Sequence, residues 1–159
     1  MANIIRVANG KIERTTSVLL RELFEGQNSN NSAVTISSTN MYGGSNSTPI
    51  ACNNQTVESN SGSHTQTFSF KNAQNIIGFR WGSAGSDRFL ASYTISYSDD
   101  NSTYTTAKTQ SGINSPGSLL TFTFDPVGKH KYWKVICNSP YGARIQWWFF
   151  DFIAKVTDE

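Results

Sequence analysis

Short runs with an apolar residue at every second position, each closed by a cluster of Gly, Asn and Ser, constrain this 159-residue chain more than any other feature. "TQTFSF" places Phe68 and Phe70 on one side and Thr65, Thr67 and Ser69 on the other. "IIGFRW" sets Ile77, Phe79 and Trp81 against Ile76, Gly78 and Arg80, and "YTISYS" alternates Tyr93, Ile95 and Tyr97 with Thr94, Ser96 and Ser98. "LTFTF" repeats the pattern with Leu120, Phe122 and Phe124, and "KYWKVIC" with Trp133, Val135 and Cys137. Two is the strand period, because successive side chains of a pleated strand point to opposite faces. "MYGGSNSTP", "ESNSGSH", "GSAGSD", "SDDNST", "SGINSPG" and "NSPYG" lie between these runs and carry turn chemistry. Many short strands joined by such turns define an all-β, antiparallel β-sandwich or barrel.

Composition narrows the class. Charged residues are 15% of the chain and aromatics 13%. The aromatic content excludes a disordered polar chain, and the low charge leaves a neutral polar surface. A net charge of +2 with no Lys/Arg run gives nucleic acid nothing to grip. No apolar stretch approaches the roughly 20 residues that span a bilayer. "MANIIRVANGKIER" lacks the basic flank and apolar run of a secretion signal, so the expected setting is a chain made in the cytoplasm and displayed on a virion or particle surface. Cys52 and Cys137 lie too far apart for a metal or redox motif and read as reduced thiols.

Residues 1–32 read as an arm and 33–159 as the sandwich. In "TTSVLLRELFEG", Thr16 or Ser17 can cap a short helix that Gly26 stops, with Leu20, Leu23 and Phe24 on one face. That face is expected to contact the sandwich, further copies of the chain or virion proteins. "GQNSNNS" follows as a joint.

Near the other end, "RIQWWFFDFIAKV" splits by parity. Trp148, Phe150, Phe152, Ala154 and Val156 form an unbroken apolar row, whereas Ile145, Trp147, Phe149, Asp151, Ile153 and Lys155 carry interrupting charges. Period-two logic assigns the first row to the core and leaves Trp147 and Phe149 as a docking surface on the wet face.

"YTISYSDDNSTYTT" resembles the signature strand and turn of the discoidin, or coagulation-factor C-type, branch of galactose-binding-like domains. In that family a Y-x-I-x-Y-S strand runs into an Asp-Gly-like turn and an aromatic residue. Here Asp99-Asp100-Asn101 supplies the turn, and Tyr104 stands where Trp is usual. "TISS", "PIACNNQT", "QTFSFKNAQNIIGFRW", "FDPVGKHKYWKVI" and "FFDFIAKV" resemble further segments of the family, in order, over residues 33 to 157. Asn53-Asn54 replaces an Asp-Gly pair, and the Trp before the second strand and the terminal cysteine clip are missing.

The resemblance implies a jelly-roll, galactose-binding-like sandwich with a ligand site on loops at one end. Carried over loop by loop, the implied ligand contacts are Tyr42, Glu58, His64, Asp87, Arg88, Asn138 and Tyr141. Their chemistry suits a neutral sugar: an aromatic plane takes the C–H face, and amides, carboxylates and guanidinium forks take the hydroxyls. A cell-surface glycan is the expected partner. The alternative is an assembly protein that uses the sandwich only for protein contacts.

Catalysis lacks a basis in the residues. Only His64 and His130 are present, no nucleophile motif occurs, and Asp99-Asp100 reads as a turn. No cofactor or metal motif is present; a structural Ca²⁺ at Asp87 or the Asn53-Asn54 turn has no signature. The loops offer a membrane only Met41-Tyr42 and Phe89-Leu90, so insertion is not expected.

Overall fold

A computed structural model describes residues 3–8, 11–19, 34–38, 57–59, 61–83, 85, 87–142 and 144–157. Its strands are β1 (Asn3–Ala8), β2 (Lys11–Leu19), β3 (Val34–Ser38), β4 (Val57–Glu58), β5 (Ser63–Gln74), β6 (Ile76–Ser83), β7 (Ser92–Ser98), β8 (Thr105–Gln110), β9 (Leu119–Thr123), β10 (His130–Asn138) and β11 (Gln146–Thr157). One sheet runs β1-β2-β11-β6-β9, with β4 also on β11; the other runs β3-β5-β10-β7-β8. The pairings are antiparallel. The expected all-β sandwich is what forms.

The apolar rows of the two sheets meet as an aromatic core. Phe68 from β5 sits edge-on to Phe152 at 4.7 Å and stacks on Phe150 at 5.5 Å. Phe79 of β6 meets Tyr93 of β7 edge-on at 4.8 Å. Trp81, Trp133 and Trp147 are fully buried. Burying each such side chain stabilises the fold by about 1.5–3 kcal/mol, and the edge-on geometry suits the ring quadrupoles. Cys137 is a free, buried thiol whose pKa burial pushes well above the usual range.

The parity of β11 departs from the expected pattern. Trp147 pairs with Ser83 and Phe149 with the adjacent Gly82, so Trp148 is an extra residue in the strand. This β-bulge shifts the alternation by one. Ile145 and Trp147 point inward before it; Phe150, Phe152 and Ala154 point inward after it. Trp147, expected on the docking surface, is therefore core, 5.1 Å from Trp81. Trp148, expected in the core, folds outside over Gly82 and donates its indole N–H to the Ser83 carbonyl at 2.9 Å. Phe149 stays on the outer face, half-buried, with the Arg80 guanidinium 5.2 Å from its ring centre. Asp151, expected in water, is fully buried.

The helix expected to begin at Thr16 or Ser17 is corrected over 16–19, which are strand. Thr16 pairs with Val156 and Ser17 with Lys155, and β1 closes on β2 as a hairpin. Thr15, Thr16 and Val18 are β-branched and lose rotamer freedom in a helix. The edge of β11 offers them backbone partners, and this outweighs weak helical propensity. Leu20, Leu23 and Phe24 lie outside the described residues.

Candidate functional site

The antiparallel order brings the ends of β10, β6 and β8 and the starts of β5, β7, β9 and β11 to one end of the sandwich. Backbone bonds knit the loops there. Ser59 donates its N–H to the Ile145 carbonyl at 3.0 Å, and Ile145 N–H returns a bond to Ser59 Oγ at 2.9 Å. Ser139 N–H reaches the Gly62 carbonyl at 2.8 Å, Ala91 N–H the Asn138 carbonyl at 2.8 Å, and Gln146 N–H the Arg88 carbonyl at 2.8 Å. Gly62 is required by close approach: a β-carbon on it would stand 2.6 Å from the Gly142 backbone. Gly142 itself has φ +68°, a conformation that suits glycine.

On this frame Glu58 of β4 meets two guanidiniums. Arg88 Nη1 lies 2.5 Å from Glu58 Oε1, Arg144 Nη1 lies 3.6 Å from the same oxygen, and Arg88 Nε lies 3.8 Å from Asp87 Oδ1. Glu58 is 16% exposed, whereas both arginines are 37% exposed and Asp87 is 61% exposed. The two positive and two negative charges cancel. What remains is a set of planar donors and acceptors at the rim, partly held in place. Phe89 and Leu90 follow Arg88 straight into the core, which fixes the backbone beneath it and removes them as membrane-facing residues.

Tyr141 stands in the neighbouring loop with 77% of its surface exposed. Leu119 at the start of β9, on the same end, is 39% exposed. Asn138 closes β10 and donates from Nδ2 to Ser92 Oγ at 3.2 Å. Glu58, Asp87 and Arg88 are thus brought together, and Asn138 and Tyr141 stand at the same end.

His64 departs from its expected role. It pairs with Cys137 across β5 and β10, is fully buried, and its ring centre lies 4.9 Å from that of Trp147. It is a core residue. Tyr42 and the Asn53-Asn54 turn lie outside the described residues. Arg144 was not among the sequence candidates. Its signal was its place directly before the last strand, beside the aromatic run that drew notice. Among the described residues, no group of three or more His, Cys, Asp or Glu is arranged to hold a metal ion.

The opposite end is built differently. Asp100 Oδ1 accepts from Thr103 N–H, Ser102 N–H and Ser98 Oγ, each at 2.8 Å. The Thr103 bond, then the Ser102 bond, hold its carboxyl well below the usual carboxylate range. Asp100 is a turn former, as its sequence setting implies.

No family profile matches the chain, and no curated protein matches it in sequence. Solved structures match it in fold. An F5/8 type C domain from Bacteroides fragilis aligns with a TM-score of 0.66 at 16% identity, covering 89% of this chain and 97% of that one. A family 32 carbohydrate-binding module from Clostridium perfringens, in complex with GalNAc-β-1,3-galactose, aligns at 0.61 and 14%, covering 75% and 94%. The family 32 module of the same organism's NanJ, in complex with galactose, aligns at 0.61 and 15%, covering 76% and 93%. The chain has the discoidin-like, galactose-binding-like β-sandwich fold of these domains.

Proposed function

We propose that this domain is a non-catalytic carbohydrate-binding module that holds a neutral glycan at the loop end of the sandwich. The observation that carries the reading is the charge-balanced cluster of Glu58, Arg88, Asp87 and Arg144 on the same end as the exposed Tyr141. In this reading the Tyr141 ring takes the C–H face of the sugar, Arg88 donates to hydroxyls, and Asp87 accepts from them. Glu58 orients the arginine fork, and Asn138 holds the loop floor. Two of the fold's solved relatives hold galactose-containing sugars, which supports the same ligand class here.

The described residues favour binding over catalysis. His64 is buried against Trp147, and His130 lies at the far end on Asp99, so neither stands beside a nucleophile at the loop end. A shallow rim site binds weakly, in the millimolar to micromolar range. Display in several copies on a virion or other particle would convert that into adhesion. With Trp147 in the core, the aromatic pair on the outer face of β11 is Trp148 and Phe149, both half-buried with ring centres 6.1 Å apart, and Arg80 lies over the Phe149 ring.

A glycan array probed with the protein clustered on beads tests the reading. Retention on galactose- or N-acetylgalactosamine-terminated glycans, lost in Tyr141→Ala, is the expected result. Clustered protein that ignores every neutral glycan would remove the proposal.

A further inference from the structure

On the flank of the sandwich, away from the loop end, β8 and β9 are the outer strands of their respective sheets. The gap between them is a cleft of about 480 Å³, which falls within the roughly 300–1,000 Å³ of small-ligand sites. Ala107 and Lys108 of β8 form one wall; Thr123 and the segment Phe124 to Val127 form the other.

That second wall is fixed at both ends. Phe124 N–H bonds the Ile77 carbonyl at 2.9 Å. Its ring packs at 6.3 Å on Trp133 behind it. His130 holds the Val127 carbonyl through Nε2 at 3.2 Å, while its Nδ1 lies 3.1 Å from both Asp99 oxygens. The imidazole stacks on Tyr97 with ring centres 4.1 Å apart. Gly128, at φ +106°, makes the turn between the wall and this clamp, where a side chain would strain the backbone. A ligand therefore meets a preformed surface and orders little of it on binding.

The lining combines two kinds of group. Phe124, Pro126 and Val127 give apolar surface, and Thr123, Lys108 and Asp125 give a donor-acceptor rim. Lys108 and Asp125 carry opposite charges, so the cleft has no net pull on an ion. A polyhydroxylated ring with one C–H face fits both kinds of group at once. We propose that the β8–β9 cleft is a second saccharide site, taking a single neutral hexose residue independently of the loop-end site. Such a module would grip one glycan chain, or two neighbouring ones, at two points.

The test is an amide chemical-shift titration of the isotope-labelled full chain with galactose, N-acetylgalactosamine, glucose and mannose, each to about 100 mM, the scale set by millimolar sites. The amides of Lys108, Thr123, Asp125 and Val127 should move saturably with at least one sugar. Lys108→Ala and Asp125→Asn, both at exposed positions, should each weaken that response at least tenfold while loop-end shifts persist. Tyr141→Ala should do the reverse. Cleft amides that stay still at the highest concentration, or that respond equally in both cleft variants, would overturn the proposal. Response at the loop end alone would remove this site and leave the proposed function standing; response at the cleft alone would do the opposite.

Discussion

Arg88 and Glu58, thirty residues apart in sequence, meet with Nη1 and Oε1 at 2.5 Å across the loop end of the sandwich. The guanidinium is 37% exposed, so solvent screens the pair, and its stabilising effect is about 0–1 kcal/mol. Its consequence is positional: it aims the arginine fork at the rim. Glu58→Gln should therefore leave thermal stability nearly unchanged while weakening glycan binding severalfold, read by melting and titration of the same preparation.

Trp147 and Phe149 separate two accounts of β11. With Trp147 fully buried just before the bulge, Trp147→Ala should destabilise by about 3–5 kcal/mol. Phe149→Ala, which loses the Arg80 and Trp148 ring contacts on the half-buried outer face, should cost clearly less. Chemical denaturation of both variants gives the comparison. Equal losses would return the strand to simple alternation.

Gly82 carries the Trp148 indole, with ring carbons 2.6 and 2.8 Å from where a β-carbon would stand. Gly82→Ala must displace that ring and strain its bond to the Ser83 carbonyl. An overpacking cost of about 1–3 kcal/mol is expected, with altered Trp148 fluorescence. Gly62→Ala meets Gly142 backbone instead of a movable side chain, so it should also shift the Tyr141 loop and reduce glycan affinity.

Asp100 gives a pH dependence with a definite sign. Its folded-state pKa is depressed, chiefly by the backbone bonds from Thr103 and Ser102, so its contribution is present above the ordinary carboxylate range of about 4. That contribution fades as pH falls through the depressed folded value. Asp100→Ala should melt below the parent at neutral pH, and the gap should narrow in strong acid. A gap that widens on acidification would contradict this.

The fold was legible because Phe68, Tyr93 and Trp133 sit on alternating runs whose apolar face is the core face of the structure; in the Phe79 run Ile76, not Ile77, joins the core, across a register shift against β11. Trp148 was not legible as a bulge, since one inserted residue leaves no mark in composition, yet it reverses the assignments of Ile145 and Trp147 before it, while Phe150, Phe152 and Ala154 keep theirs. Thr16 and Ser17 read as helix caps because local pattern ignores the open edge of β11, a partner more than a hundred residues away. At the site, Asp87, Arg88 and Tyr141 came from the family resemblance, carried over loop by loop. Arg144 and the Ser59–Ile145 anchor needed tertiary contact to be seen, and His64 looked like a loop residue until β5 extended through it.

The central claim is that the loop end binds a neutral sugar through Tyr141 and Arg88. Calorimetric titration of N-acetylgalactosamine-β-1,3-galactose into the parent, Tyr141→Ala and Arg88→Ala proteins tests it most directly. The account predicts saturable, weak binding by the parent, at least tenfold weaker in each variant, with melting temperatures essentially unchanged. Binding that survives intact in both variants, or a parent that binds neither this disaccharide nor any other neutral glycan, would contradict it.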